Sequence, residues 1–417
     1  MTVQVGEVPA AATEVTWPGQ LIEAELAAML GRRFAELDFL GADIAPFADV
    51  LGRFVLGPGK RLRPAFVYWG YRAAGGAATG PDADAALRVG CAVEFLHACA
   101  LICDDLMDGS AVRRWEPAAH VRLAGPEGGH GWPGPRPEFG RAAALVLGLQ
   151  AFNWADAALC DAGLRPDRLA AVLRLFTTLR TEVIGGQYLD VVHAQRGTVP
   201  AGTVPAGTAV AGKVAAGKVA AGTVAAGTVA AGTVAAGTVA AGAASPAAEL
   251  IGAAERIIRY KSAKYTVERP LQLGAAVAGT GADKGFLSGY GLPLGEAFQL
   301  RDDVLGVFGD PESTGKPAGE DIREGKQTLL LVLARQMAGP AEQRVLETVP
   351  GNPVATEADI AGVRTVLAGC GALDEVERRI AGLAGQARRA LEAEPDIPDG
   401  ARAGLLQLAG LVTRRDR

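Results

Sequence analysis

The stretch Val89–Arg114 reads "VGCAVEFLHACALICDDLMDGSAVRR". Val89, Val93, Leu96, Ala100, Cys103 and Met107 recur at alternating spacings of four and three, which marks one face of a helix. Leu101, Ile102 and Cys103 are apolar, Asp104, Asp105 and Asp108 come next, and two arginines, Arg113 and Arg114, follow. Carboxylates at the end of an apolar helix are costly unless something positive meets them. Asp104 and Asp108 are four residues apart, so their carboxylates share a face and repel when unpaired. A hard divalent cation removes that repulsion, and oxygen ligands suit Mg²⁺. Extended toward the N-terminus, the same face runs through Leu101 to His97, about 10 Å from Asp104 at about 1.5 Å per residue.

Helical periodicity also runs through Leu21–Leu40, Ala142–Ala158, Leu169–Val192, Leu250–Ala278, Phe286–Phe308 and Thr328–Gln336. Apolar–polar alternation long enough for a sheet is lacking. The expected class is all-α, a large helical bundle. The chain has 417 residues, half of them hydrophobic, enough for a substantial core. A net charge of −5 gives no reason to expect nucleic acid as a partner. No run of about 18 apolar residues is present, so no transmembrane segment is expected. Residues 1–18 read as a flexible tail without a secretory signal, and 19–417 as a single domain. Five cysteines without a CxxC pair fit small core fillers in a reduced, cytoplasmic protein rather than a zinc site.

From Gly197 to Gly242 a glycine returns every five residues, as in "GTVAAGTVAAG". Glycine at that period opposes helix, and alanine with glycine opposes sheet. Residues 197–246 are expected to form a low-complexity loop inserted within the domain.

A second acid motif lies in "EAFQLRDDVLGVFGD", where Gln299, Asp302 and Asp303 follow apolar residues. Two acid-bearing helices facing each other would hold several Mg²⁺ ions, and Mg²⁺ keeps positions open for phosphate oxygens. The cations for such a ligand are Lys60, Arg61 and Arg63 in "GPGKRLRP", Lys261 and Lys264 in "RYKSAKYT", and Lys316 and Lys326 in "TGKPAGEDIREGKQT". "GDPESTGKP" is not a nucleotide-binding P-loop, because five residues separate its glycines and Pro317 follows the lysine.

In this order, "GKRLRP", "EFLHACALICDDLMDGSAVRR", "GQYLD", "KSAKYT", "FQLRDD" and "GKPAGEDIREGK" resemble the trans-isoprenyl diphosphate synthases, the polyprenyl synthetase family. The resemblance covers most of 51–330. It implies helices around a deep central cavity, usually in a homodimer, and condensation of isopentenyl diphosphate with an allylic diphosphate. It implies metal ligation by Asp104, Asp108 and Asp302, with three Mg²⁺ ions per site, and a catalytic set that adds the neighbouring Asp105 and Asp303 together with Arg113, Lys261 and Gln299. Lys60, Arg63, His97 and Arg114 resemble the isopentenyl diphosphate site. Arg113, Lys261, Lys316 and Lys326 resemble the clamp on the allylic diphosphate. Ser262 and Gln299 sit where the family steadies the developing cation, and Gln187 and Asp190 lie beside the metal cluster. Four positions depart: Gly306 leaves the second motif as DDxxG, Trp115 stands where glycine is common, Pro58 replaces a glycine, and Leu149 replaces an aspartate.

The growing chain should run from Asp104 toward Ala100, Cys99 and Leu96. Ala100 and Cys99 are too small to floor the cavity as aromatics would, and Leu96 lies about one turn deeper. The expected product is therefore geranylgeranyl diphosphate (C20), with farnesyl or longer-chain synthesis as the alternative. A terpene cyclase would not need Lys60, Arg63 and His97, and a non-catalytic regulatory subunit would be expected to lose its acid motifs.

Overall fold

The computed structural model describes residues 18–128, 133–196, 246–280, 285–310 and 319–413. The expected tail, save Pro18, and the repeat from 197 to 245 lie outside the described residues, as does Lys316. The helices are α1 (Gly19–Ala35), α2 (Ala45–Leu56), α3 (Leu62–Ala73), α4 (Pro81–Asp108), α5 (Ala119–Ala124), α6 (Pro137–Cys160), α7 (Pro166–Arg196) and α8 (Pro246–Ile257). They continue with α9 (Arg269–Ala278), α10 (Gly285–Phe308), α11 (Glu320–Glu324), α12 (Leu329–Met337), α13 (Pro340–Thr348), α14 (Glu357–Gly369), α15 (Ala372–Glu392) and α16 (Asp399–Thr413). The all-α class is as the periodicity predicts.

Two details differ from it. The predicted helical stretch Leu250–Ala278 is interrupted by a π-helix, Ile258–Glu268, between α8 and α9. Its backbone is pressed against α7: a Cβ on Gly186 would overlap the Lys261 amide nitrogen. A two-residue antiparallel pair, Val112–Arg113 with Glu116–Pro117, is too short for alternation to reveal. Its turn residues Arg114 and Trp115 have φ of 56° and 63°. Two successive left-handed residues make the tight hairpin turn in which glycine is favoured second, and Trp115 occupies that position.

The apolar faces close on three clusters. The first gathers Phe95 of α4, Leu147 and Trp154 of α6 and Phe176 of α7, with Trp154 edge-on to Phe34 at 5.5 Å and to Phe95 at 6.1 Å. The second joins Val304 of α10 to Leu330, Ile360 and Val376. The third joins Phe66 and Trp69 of α3 to Tyr290 and Leu405, where Tyr290 Oη donates to the Leu405 carbonyl at 2.7 Å. Each fully buried large apolar side chain contributes roughly 1.5–3 kcal/mol.

By length and composition α4 and α6 could each cross a membrane. However, 61% of the apolar stretch of α4 and 44% of that of α6 are buried inside the protein, where the two helices pack together. That is also how the core helices of a water-surrounded bundle look.

Candidate active site

Helix α4 ends at Gly109, whose φ of 70° gives a left-handed cap. Asp104 and Asp108 therefore sit in its last turns, at the negative end of the helix dipole, where anions are disfavoured. Cations answer each of them. Lys261 Nζ donates to Asp104 Oδ1 at 3.4 Å and to Asp190 Oδ2 at 2.5 Å. Gln187 Nε2 donates to Asp104 Oδ1 at 3.3 Å, and Arg113 Nη2 lies 3.7 Å from Asp104 Oδ2. Burial pushes the Asp104 carboxyl up, but Lys261, Lys326 and Arg113 together hold it below its usual range. Burial and then the charge of Asp104 push Asp108 up to about 6.

Lys326 ties the two acid regions together. Its Nζ lies 3.8 Å from Asp108 Oδ2, 3.0 Å from Asp321 Oδ1 and 2.7 Å from Glu324 Oε2. Ser110, just past α4, donates to Glu324 Oε1 at 2.9 Å, so α11 docks directly on the end of α4. On α10, Gln299 Nε2 donates to Asp303 Oδ1 at 2.7 Å.

The basic corner is built on another pair. Arg61, with φ of 46°, precedes α3 and is 4% exposed. Its Nη1 donates to Glu94 Oε1 at 2.7 Å and its Nη2 to the Gly57 carbonyl at 2.9 Å. This anchor sets the flanking Lys60 and Arg63. Arg63 Nη1 donates to His97 Nε2 at 3.1 Å and Nη2 donates to Thr266 Oγ1 at 3.0 Å, while the guanidinium stacks 4.7 Å from the Tyr265 ring centre. Burial, then Arg63 and Arg114, hold His97 well below its ordinary pKa, so it is neutral.

One cavity of about 650 Å³ gathers these groups. Its wall includes Lys60, Arg63, His97, Asp104, Arg113, Arg114, Gln187, Lys261, Ser262, Gln299, Asp302, Asp303 and Lys326. Asp108 is not in that wall, but its Oδ2 lies 3.8 Å from Nζ of Lys326, which is. Asp105, expected beside the metal ligands, is not in that wall. It is fully buried and accepts from Arg113, with Nε at 2.8 Å, so it positions that arginine. Asp303, expected beside Asp302, is buried, and burial pushes its carboxyl well above the usual range against the pull of the Gln299 hydrogen bond. Of the proposed length-setting residues, Ala100 is in the wall, together with Leu101 and Val183. Leu96, one turn deeper on the face of Ala100, is buried in the first apolar cluster, and Cys99, about 100° round the helix from Ala100, packs against that cluster.

The sequence reading passed over Glu94, Tyr265, Thr266, Asp321 and Glu324. Glu94 had a signal: an acid on an otherwise apolar helix, three residues before His97.

Among the described residues no three carboxylate, imidazole or thiol groups converge to hold a metal by themselves. Asp104 and Asp108 offer two carboxylates one turn apart, and Mg²⁺ binds through one or two carboxylates and completes its shell with water and phosphate oxygens.

The chain matches the polyprenyl synthetase family model over residues 45–254 and 251–367. The chain belongs to the polyprenyl synthetase family. This synthetase is similar to the structure of a geranylgeranyl pyrophosphate synthase from Corynebacterium glutamicum complexed with isoprenyl diphosphate and magnesium. The identity is 33%, with a TM-score of 0.78, over 95% of this chain and 98% of that one. It is 27% identical to the geranylfarnesyl diphosphate synthase of Aeropyrum pernix, over 81% of this chain and 85% of that protein. It is also 27% identical to the geranylgeranyl diphosphate synthase of Methanosarcina mazei, over 86% of each. As a polyprenyl synthetase it is a trans-prenyltransferase of the isoprenoid synthase fold, in a family that works with divalent metal ions.

Proposed function

We propose that this prenyltransferase condenses isopentenyl diphosphate with dimethylallyl, geranyl or farnesyl diphosphate to make C20 geranylgeranyl diphosphate. One observation carries the reading. A single cavity has two charged ends, an acid end where Lys261 and Lys326 sit among carboxylates that metal would bridge, and a basic end with Lys60, Arg63 and Arg114 around neutral His97. Two ends suit two diphosphates.

Asp104 and Asp108 on one side, and Asp302 on the other, would hold three Mg²⁺ ions. When bound, the ions supply positive charge to the departing diphosphate. Lys261 and Lys326 are placed to meet the same charge as the allylic C–O bond breaks and its electron pair leaves with the diphosphate. Arg113, held by Asp105, joins them. The amide nitrogen of Gln299 is engaged by Asp303, leaving its oxygen and the Ser262 hydroxyl for the allylic cation. Arg63, Lys60 and Arg114 orient isopentenyl diphosphate so that its double bond forms the new C–C bond. A proton is then lost from the joined unit to the released diphosphate.

Ala100 in the wall supports a product longer than C15. Exposed Leu145, Val146 and Leu149 on α6, with Ile184, Tyr188 and Val191 on α7, support a homodimer through these helices. Five free thiols support a reducing, cytoplasmic setting. The test is product chromatography after incubation with labelled isopentenyl diphosphate and each allylic primer. A C20 product from all three is expected. A dominant C15 product, or no uptake of isopentenyl diphosphate, refutes the reading.

A further inference from the structure

The π-helix Ile258–Glu268 carries Lys261 and Ser262 into the cavity wall. Lys264, which the sequence offers as a further cation for the diphosphate, is not in that wall. Its Nζ donates instead to Glu182 Oε1 of α7 at 3.0 Å. Arg269 forks onto the same carboxylate, Nε to Oε2 and Nη2 to Oε1, each at 2.7 Å. The Arg269 backbone N–H donates to the Lys264 carbonyl five residues back, the i to i+5 bond that defines a π-turn. In an α-helix five residues turn through about 500°, which would leave the two side chains about 140° apart. We propose that Glu182 is a positioning residue: by gripping both ends of this π-turn it holds the register that aims Lys261 and Ser262 at the allylic diphosphate. This rests on the reading of Lys261 and Ser262 as groups that meet the departing diphosphate and the allylic cation.

The consequence of losing the register follows from helix geometry. A π-turn amounts to one extra residue set into an α-helix. If the turn relaxed to the α form, every residue before it would rotate by about 100° relative to α9. Lys261 Nζ would then leave Asp190 Oδ2, at 2.5 Å, and Asp104 Oδ1, at 3.4 Å. Glycines on both neighbouring helices make room for the wider turn. A Cβ on Gly186 of α7 would lie 2.3 Å from the Lys261 amide nitrogen, and one on Gly295 of α10 would lie 2.5 Å from the Ala263 carbonyl oxygen.

Those glycines permit the π form, and the Glu182 carboxylate supplies the attraction that selects it. The side chains of Glu182, Lys264 and Arg269 are no more than 16% exposed, so solvent screens their attraction little. Glu268 Oε2 lies 3.3 Å from Lys264 Nζ and balances the second cation. Gln272 carries the network on to α10, accepting from Arg269 Nη1 at 2.6 Å and donating to Ser288 Oγ at 3.1 Å. Glu182 is itself outside the cavity wall, although Val183 and Gln187 of the same helix are in it, so it acts through the π-helix.

The experiment follows single-turnover condensation of farnesyl diphosphate at saturating Mg²⁺ and isopentenyl diphosphate, with thermal unfolding alongside. Saturation keeps any slackening of Arg63, which Tyr265 and Thr266 of the same helix hold, out of the rate. Glu182→Asp keeps the charge but is one methylene too short to hold both cations. It should slow the step about 10–100-fold, the loss that misplacement by about 1 Å brings. In a protein already carrying Lys261→Ala and Ser262→Ala the same change should slow it less than about twofold, because nothing is left to aim. Arg269→Lys, which keeps the charge and loses the fork, should behave alike in both backgrounds and serves if Glu182→Asp does not fold. An equal slowing in the two backgrounds overturns the proposal, since a general loss of structure acts on either. A Glu182→Asp rate within about twofold of wild type, while Lys261→Ala is slow, also overturns it and leaves the role of Lys261 intact. If the protein with Lys261→Ala and Ser262→Ala turns over at the wild-type rate, the reading of those two residues fails and the proposal falls with it.

Discussion

Replacing Glu94 with alanine tests how the basic corner is held. The side chains of Arg61 and Glu94 are 2% and 8% exposed, with Nη1 and Oε1 2.7 Å apart. Removing one partner of a buried pair costs about 3–5 kcal/mol, because the other charge is left in a poor solvent. Arg61 would keep the Gly57 carbonyl at 2.9 Å and Glu23 at 3.8 Å, which argues for the lower end, about 3 kcal/mol. Part of that loss is felt locally. Arg61 has a left-handed backbone, a conformation that costs of order 1–3 kcal/mol and persists only while its surroundings enforce it. With the anchor gone, Lys60 and Arg63 lose their common frame. If half of the loss, about 1.4 kcal/mol, is felt in substrate binding, KM for isopentenyl diphosphate rises about tenfold. Initial rates at saturating geranyl diphosphate, alongside thermal unfolding, measure both. Glu94→Gln keeps an acceptor and should show a smaller change in each. A KM within twofold of wild type together with an unchanged melting curve for Glu94→Ala would refute the reasoning.

Ala100→Phe should shorten the main product to C15, whereas Cys99→Phe alone should strain the core without the same shift; product chromatography separates them. Trp115→Gly relieves a left-handed residue that is 55% exposed. It should stabilise the protein by about 0.5–1 kcal/mol after the entropy cost of glycine, read as a higher denaturation midpoint. His97 is held neutral by burial and by Arg63, Arg114, Arg113 and Arg61, so its folded pKa lies below its unfolded value. Below about pH 6.5 the unfolded chain takes up a proton that the folded site refuses, so stability is lost as the pH is lowered. Urea midpoints at pH 7.5 and 5.5 should differ less in His97→Gln than in wild type, and an equal difference would count against the assignment.

The parts of the site that could be read from the sequence are those written in short local patterns. The shared face of Asp104 and Asp108 needs only helix geometry, and the apolar run before them fixes the class. Long-range pairing is what local pattern cannot express. Lys326 reads as one more cation until the fold brings Asp108 and Asp321 to it. Asp105 reads like its neighbours, yet a rotation of about 100° per residue turns it inward to Arg113. The same rotation puts Ala100 in the cavity and Cys99 against the core. The Glu94 pair was missed because nothing near Arg61 in sequence tells that its partner lies on α4. The helices after residue 340 carry no motif, so their amphipathic faces went unread, although Thr356 and Asp359 cap α14 with a reciprocal pair of hydrogen bonds.

The two ends of the cavity differ in net charge, and this sets what each can bind alone. At the acid end, Lys261 and Lys326 face Asp104, Asp108, Asp190, Asp321 and Glu324, so carboxylates outnumber lysines. A bare diphosphate arriving there meets repulsion, and metal must come first or with it. At the basic corner Arg61 and Glu94 cancel, leaving Lys60, Arg63 and Arg114 around neutral His97. That corner attracts a diphosphate unaided. Calorimetry in EDTA should therefore detect isopentenyl diphosphate binding while an allylic thio-analogue gives no heat, and added Mg²⁺ should restore only the second. Metal-free binding of both with similar affinity would show that the lysines, rather than ions on the aspartates, hold the allylic diphosphate.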